Sequence, residues 1–274
     1  MMEFRELTTK ADMQAVQELE YRVWKMDPIP THQTMTAIKN GGIMLGLFDG
    51  DLLVGFSYGF AGFQAGKSYL CSHMMGLDAS YRSQGLGEQL KQKQREVALQ
   101  KGYSLIKWTF DPLESRNAYL NLTKLRSISD VYIENCYGKM TDTFNAGLPT
   151  DRLEVHWHID QPYVEKAISF SRATVIALNS CVQEAGTFPV NKDRNVKVGE
   201  RATYTVSIPN NFQQVKEQDS RLAMNWRFAV RYYFQHLFQA GYAVVELNQN
   251  KTESTYYFVK KECLKIGGSA SVHD

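Results

Sequence analysis

The sequence predicts an α/β (α+β) fold in which helices flank a sheet and a smaller α/β segment is appended. Three observations predict it. Apolar residues recur at helical spacing in some stretches and alternate in others, the two periods of helix and strand. Turn signals such as Asp27-Pro28-Ile29-Pro30, Asn40-Gly41-Gly42, Asp49-Gly50 and Lys101-Gly102 divide those stretches from one another. The pattern then changes near Asp160, which sets an expected boundary between residues 1–160 and residues 161–274. At 274 residues and 43% hydrophobic content the chain is long enough for one large core or two smaller ones.

Glu3 to Leu7 reads as a short first strand. Thr8 or Thr9 caps a helix whose apolar positions Met13, Val16, Leu19 and Val23 keep helical spacing. Proline disfavours helix at the residue before it, so the Asp27 to Pro30 stretch ends that helix. Thr31 to Lys39 is a second helix, closed by glycine. Ile43 to Phe48, Leu52 to Phe63 and Lys67 to Leu77 follow as strands, the first two joined by the hairpin signal Asp49-Gly50. Gly55, Gly59 and Gly62 point to a bulged or bent middle strand. Leu86 to Gln100 is a helix with Leu86, Leu90 and Val97 on its apolar side. Tyr103 to Phe110 is a strand, Ser115 to Leu125 a helix, and Ile128 to Tyr137 and Arg152 to Ile159 further strands. Residues 161–200 have no clean period. Ala202 to Ile208 is a strand, and one long helix then runs to Ala240 on the stripe Leu222, Trp226, Val230, Tyr233 and Leu237. Tyr242 to Leu247 and Ser254 to Val259 make a terminal hairpin, and Gly267 onward reads as a frayed end.

Composition excludes several classes. A formal net charge of +2 gives no footprint for nucleic acid, which needs a clustered basic patch. Lys91, Lys93 and Arg95 do cluster, and they read as a solvated helix face. No apolar run approaches the ~20 residues that span a bilayer. Met-Met-Glu-Phe-Arg-Glu carries no apolar signal core. The four cysteines, Cys71, Cys136, Cys181 and Cys263, are isolated from one another with no CxxC spacing, so zinc is not expected. These features fit a cytoplasmic protein with reduced cysteines. They leave the oligomeric state open.

The strongest local signal is Arg82-Ser83-Gln84-Gly85-Leu86-Gly87, set between a strand and a helix. Backbone N–H groups at a helix N-terminus carry partial positive charge and bind anions. Glycine lets a phosphate approach without a Cβ clash, and Arg82 can add a charge-assisted bond. Glycine-rich turns also serve simply to join strand to helix. The third glycine of a GxGxxG dinucleotide fingerprint is missing, and no GxxxxGK[ST] phosphate loop occurs.

The motif, read with the order of elements around it, resembles the GCN5-related N-acetyltransferase (GNAT) superfamily, whose signature is [Gln/Arg]-x-x-Gly-x-[Gly/Ala]. Leu77-Asp78-Ala79-Ser80-Tyr81-Arg82 leads into that signature here. The resemblance covers residues 3–159. It implies a mixed, mainly antiparallel twisted sheet and an acyl-coenzyme A donor: acetyl-CoA, or another acyl-CoA such as succinyl-CoA. It implies that the amides of Ser83, Gln84, Gly85, Leu86 and Gly87 hold the pyrophosphate with Arg82. The pantetheine arm would pair with the strand end at Met75 and Leu77, where two strands part. Asn117 or Asn121, four apart on one helix face, is a further candidate for the coenzyme.

The family's usual general acid is a tyrosine, and alignment on Ala118 and Lys124 puts Leu122 at its position and Arg126 at a following glycine. Tyr119, one turn earlier, is a candidate substitute, or a packing tyrosine. His73, on the strand leading to the motif, is a candidate base with a suitable intrinsic pKa, though strand histidines are often structural. Asp111 and Glu114 are alternatives, and Asp111 also suits a helix cap. The runs Lys107 to Leu113 and Asp151 to Trp157 resemble those of large acetyltransferase-like proteins with a C-terminal α/β extension. Arg227 and Arg231, four apart, suit a substrate carboxylate or a solvated helix face. The expected function is transfer of an acyl group from a CoA thioester to the amine of a small molecule or amino acid. The alternative is a CoA-binding regulatory protein without catalysis.

Overall fold

Of the two threonines that could cap the first helix, Thr9 does so. Its hydroxyl accepts from the Asp12 amide at 3.1 Å, and the Asp12 carboxylate accepts from the Thr9 amide at 2.8 Å. The computed structural model to which this cap belongs describes residues 2–140, 147–168, 170–183, 187–191, 198–199, 202–264 and 266, with side chains of 182–191 left aside. The end expected to fray from Gly267 lies outside them. The chain forms two compact units, Met1–Trp108 with Trp157–Asp160, and Thr109–His156 with Gln161–Asp274.

In the first unit the elements run β1 (Met2–Glu6), α1 (Lys10–Trp24), α2 (Thr31–Lys39), β2 (Ile43–Asp49), β3 (Leu52–Gln64), β4 (Lys67–Leu77), α3 (Leu86–Gln100) and β5 (Leu105–Phe110), which ends in the second unit. The sheet order is β1-β2-β3-β4-β5, antiparallel except for the parallel pair β4–β5. Met13, Val16 and Leu19 of α1 pack with Phe56 and Tyr58 of β3, so the helical stripe and the strand alternation meet in one core. Two polar side chains of α1 grip the loop to α2. Gln17 Nε2 donates to the Ile29 carbonyl at 2.7 Å, and Glu20 Oε2 accepts from the Ile29 amide at 2.9 Å. Glu20 is buried there, and burial pushes its carboxyl pKa up.

The glycine-rich strand carries its expected bulge at Val54, since Leu47 of β2 faces Gly55 and Phe48 faces Leu53. A second register shift lies between β3 and β4. Tyr58 faces Met74 and Gly59 faces Ser72, so the extra residue of this bulge is His73 on β4.

In the second unit a single α-helical turn, α4 (Ser115–Ala118), runs into a π-helix, Tyr119–Lys124. β6 (Ile128–Ile133), β7 (Arg152–His158), β8 (Val175–Ala177), β9 (Asn179–Gln183), β10 (Thr187–Asn191) and β11 (Thr203–Pro209) follow. Then come α5 (Phe212–Gln218), α6 (Ser220–Gln239), β12 (Tyr242–Gln249) and β13 (Glu253–Lys260). The sheet order is β7-β6-β12-β13-β11-β8, and β9 pairs with β10. Phe234 of α6 meets Tyr256 and Phe258 edge-on at 5.0 and 4.8 Å, anchoring the helix on β13.

Four expectations change. The division does not fall at residue 160, because β6 pairs with β12, and residues 109–156 therefore pack with the C-terminal part. The single long helix is two helices, broken at Asp219, whose carboxylate caps α6 by accepting from the Arg221 and Leu222 amides. Lys91 is not solvated: it is 4% exposed, on the buried side of α3. Arg227 is buried and Arg231 half-buried, and both are paired with carboxylates of the protein.

Arg227, 2% exposed, grips Asp111 with both Nη groups, at 2.8 and 2.5 Å. Arg231 grips Asp151 at 2.8 and 2.7 Å, and the Tyr132 hydroxyl donates to the same carboxylate at 2.7 Å. Burial alone would push the Arg227 pKa down, but Asp111 beside it more than reverses this and keeps the charge. Two bidentate pairs thus rivet α6 to the chain on either side of β6.

Removing one partner of such a pair leaves a buried charge unmatched. Asp111→Ala is expected to lower the unfolding free energy by about 3–5 kcal/mol in urea denaturation, whereas Glu134→Ala, an exposed partner of Arg231, should cost under ~1 kcal/mol.

Candidate functional site

The head of α3 is built bare. Gly85 is its N-cap at φ 76°, with no side chain capping it. Ser83 takes φ 63° two residues earlier, a left-handed conformation that costs a non-glycine residue about 1 kcal/mol. The first amides of the helix therefore have neither an intrahelical acceptor nor a side-chain cap. A Cβ added at Gly85 would meet nothing within 4 Å, and one at Gly87 would meet only Met75 Cε at 3.6 Å and Leu77 Cδ1 at 3.8 Å. The protein's own packing leaves that space open. The approach is held by Asp78, which accepts from the Ser80 hydroxyl at 2.8 Å, and by Gln84 Nε2, which donates to the Ser80 carbonyl at 3.1 Å. Arg82 turns Nε back onto the Leu77 carbonyl at 3.2 Å and keeps its outer guanidinium nitrogens at the surface.

Next to this helix head β4 loses its partner. The parallel ladder with β5 covers Leu70–Ile106 and Cys71–Lys107 only, while β4 runs on through Ser72 to Leu77. Parallel strands that part in this way leave backbone groups on the inner edge of β4 open to an added chain. Met75 and Leu77, both half-buried, are the side chains nearest Gly87.

On the α1–α2 face lies a cleft of about 660 Å³, lined by His32, Gln33 and Thr36 of α2, Tyr58 and Phe60 of β3, and His73. The bulge turns His73 into it, with the ring edge-on to Tyr58 and Phe60 at 6.0 and 5.6 Å. Crowding by these rings pushes the His73 pKa below its usual value. No carboxylate is among the described residues that line the cleft.

The remaining candidates lie in the second unit. Asp111 has both oxygens committed to Arg227 and also caps the Leu113 amide at 2.8 Å, so a free base at this position is ruled out by its partners. Glu114 is held by Gln213 Nε2 at 2.5 Å, and burial pushes its pKa up. Asn117 is exposed on α4, and Asn121 is buried with its carbonyl taken by Ser127. Tyr119 is half-buried at the start of the π-helix. Leu122 is 1% exposed, a core residue. The π-helix follows from Thr123, whose hydroxyl bonds the Leu247 carbonyl at 2.6 Å and accepts from the Leu247 amide at 3.1 Å, pulling the turn wide. Arg126 adopts φ 56°, the conformation that explains a glycine at this point in the resemblance.

Sequence reasoning missed a buried polar cluster. Lys91 Nζ donates to Ser72 Oγ at 2.6 Å and Gln94 Oε1 at 3.3 Å, and stands 4.0 Å from the centre of the Trp108 ring. The signal was positional. Buried Leu86, Leu90, Lys91, Gln94, Val97 and Ala98 form one stripe by helical arithmetic, in which hydropathy marks only the apolar members.

The order β1-α1-α2-β2-β3-β4-α3-β5-α4-β6-β7 is the order of the GNAT superfamily, and with the parted β4 edge it makes the fold GNAT-like. No family model matches the chain, and no curated protein matches it in sequence. Solved structures similar to it include the Escherichia coli ribosomal-protein-S18-alanine N-acetyltransferase, at 16% identity and TM-score 0.47 over 59% of this chain and 96% of that one. The yncA protein of Salmonella typhimurium with its cofactor acetyl-CoA is similar at 14% identity and TM-score 0.47, over 58% of this chain and 95% of that one. A GNAT-family acetyltransferase of Streptococcus pneumoniae is similar at 13% identity and TM-score 0.45, over 57% and 98%. No described helix is long and apolar enough to cross a membrane.

Because nothing lies near a Cβ at Gly85, the cost of Gly85→Ala is backbone strain alone. Thermal unfolding of that variant should show a loss of about 1 kcal/mol with unchanged secondary structure.

Proposed function

We propose that the chain is an acyl-CoA-dependent N-acyltransferase that acylates the amine of a small molecule or amino acid. The observation that carries the reading is the uncapped head of α3 beside the stretch of β4 that has no ladder partner on β5. One feature suits a pyrophosphate, and the other an extended amide-bearing arm. Both belong to the first unit. The amides from Ser83 to Gly87 and the outer nitrogens of Arg82 would hold the phosphates. The backbone from Met75 to Leu77 would hold the arm.

A thioester is already activated, so the protein has to position the amine, take its proton and polarise the carbonyl. The His73 cleft suits the amine. With its pKa pushed down, His73 is neutral at pH 7 and able to accept the ammonium proton before the new C–N bond forms and the C–S bond breaks. Tyr58 and Phe60 offer ring faces to a cation where no carboxylate lines the wall.

Acetyl-CoA at a hundredfold above its Kd should stabilise the protein by about 2.7 kcal/mol in thermal shift. Gly85→Asp sets a carboxylate where the phosphates would lie and should abolish the shift. No shift of the wild type with acetyl-, propionyl- or succinyl-CoA would overturn the reading. In thiol-release assays over an amine panel, kcat/KM should rise with pH through an inflection below 6.5, the ordinary histidine value, because the neutral ring is the active form. His73→Gln should remove that limb, and an unchanged profile would take His73 out of the mechanism.

A further inference from the structure

Lys91 is a buried amine with no carboxylate partner among the described residues, and the Cys71 thiol is the titratable group that pulls its pKa upward against burial. The hydrogen-bond partners of Lys91 are Ser72 and Gln94, both neutral, and no described carboxylate lies within ion-pair distance of Nζ. Burial accordingly pushes its pKa down to about 7. A charge held there without a partner is costly, and an anion reaching it would offset that cost.

Two further donors nearby lack acceptors. Gln94 is 0% exposed; its Oε1 accepts from the Ser72 hydroxyl at 2.9 Å, while its Nε2 has no partner. Trp157 is also 0% exposed, its Nε1 has no partner, and its ring meets Trp108 edge-on at 6.0 Å. Around Trp108, then, a positive charge and two buried N–H donors meet a shortage of acceptors.

The position of this cluster gives it meaning. Ser72 is the first residue of β4 beyond the last ladder pair, Cys71–Lys107, so the cluster sits at the root of the gap between β4 and β5. It lies on the α3 side of the sheet, with the His73 cleft on the α1–α2 side. Met75 stands three positions beyond Ser72 along β4, about 10 Å at the usual rise.

We propose that Lys91, with Gln94, forms the blind end of an acyl pocket and selects a donor whose acyl chain ends in a carboxylate, a dicarboxylic acid joined to coenzyme A at one end. The inference rests on the acyl-CoA reading and sharpens it, choosing among donors that this reading leaves open. Lys91 acts on the group being carried and takes no part in breaking the thioester. Acetyl-CoA would leave the pocket end unfilled, and a plain four-carbon chain would bring methyl against ammonium.

Calorimetric titration with succinyl-CoA, butyryl-CoA and free CoA tests it, since succinyl and butyryl chains are close in length and differ in the terminal charge. Wild-type protein should bind succinyl-CoA about ten- to a hundredfold more tightly than butyryl-CoA, the range of a buried charge-assisted bond. Lys91→Met, close in shape, should lose that preference or reverse it while its affinity for free CoA stays the same. Equal wild-type affinity for the two thioesters would overturn the inference and leave the CoA site standing, as would a preference that survives in Lys91→Met. Should Lys91→Met fail to fold, the wild-type comparison alone decides. Absence of binding by free CoA and by both thioesters would remove the underlying reading as well.

Discussion

The first unit is organised by the shortness of one parallel ladder. β4 is bound along its whole length to β3 on one edge, but to β5 at two residue pairs on the other. A strand fixed on one side and released on the other is rigid and yet has hydrogen-bonding capacity to spare. The remaining elements of the unit serve that condition. β1 to β3 supply antiparallel backing, α1 packs the core beneath β3, and α3 begins where β4 ends, presenting its bare amides at the same end of the strand. The bulge that turns His73 into its cleft lies on this same strand. Coenzyme contacts, base and acyl pocket are thus proposed on one β-strand and the helix that follows it.

The second unit solves a different problem. Its sheet draws on strands from distant parts of the chain, and α6 is pinned to it by aromatic packing and by two arginine forks. Arg227 and Asp111 are 116 residues apart in sequence and Arg231 and Asp151 are 80 apart. Charged residues paired inside a unit in this way are already engaged: Asp111 and Arg227 hold each other, and Arg231 holds Asp151 and Glu134. Leu122 and Arg126 fit the same pattern. Where the resemblance expects a reactive tyrosine and a glycine, this chain has a core leucine and an arginine held in a left-handed turn that donates to the Val164 carbonyl at 3.0 Å.

Local physics was legible in the sequence. The Thr9 cap, the Asp49-Gly50 hairpin and the glycine turn that opens α3 after β4 each depend on a few neighbouring residues, and each stands where those residues put it. Interactions over long separations were not legible. Hydropathy marks Lys91 as surface, though its helix position puts it in the stripe, and only the approach of β4 and Trp108 decides between them. The π-helix needs Leu247, far along the chain, to hold Thr123. Asp219 was a cap hidden within an otherwise continuous helical pattern. A change in element pattern along the chain does not locate the boundary between units, because it says nothing of which strands pair.

The grip on Ile29 has a consequence of another kind. α2 forms one wall of the His73 cleft, and the loop leading to it is tied to α1 through both polar groups of a single peptide residue. The turn after β4 and the cluster under Trp108 depend on neither Gln17 nor Glu20. In the proposed roles, the α2 wall of the acceptor cleft can be re-cut while the donor contacts on β4 and α3 stay as they are. Over evolutionary time an acyltransferase built as proposed would exchange the molecules it modifies and keep its donor, because α2 and the β4–α3 segment are separate stretches of the chain.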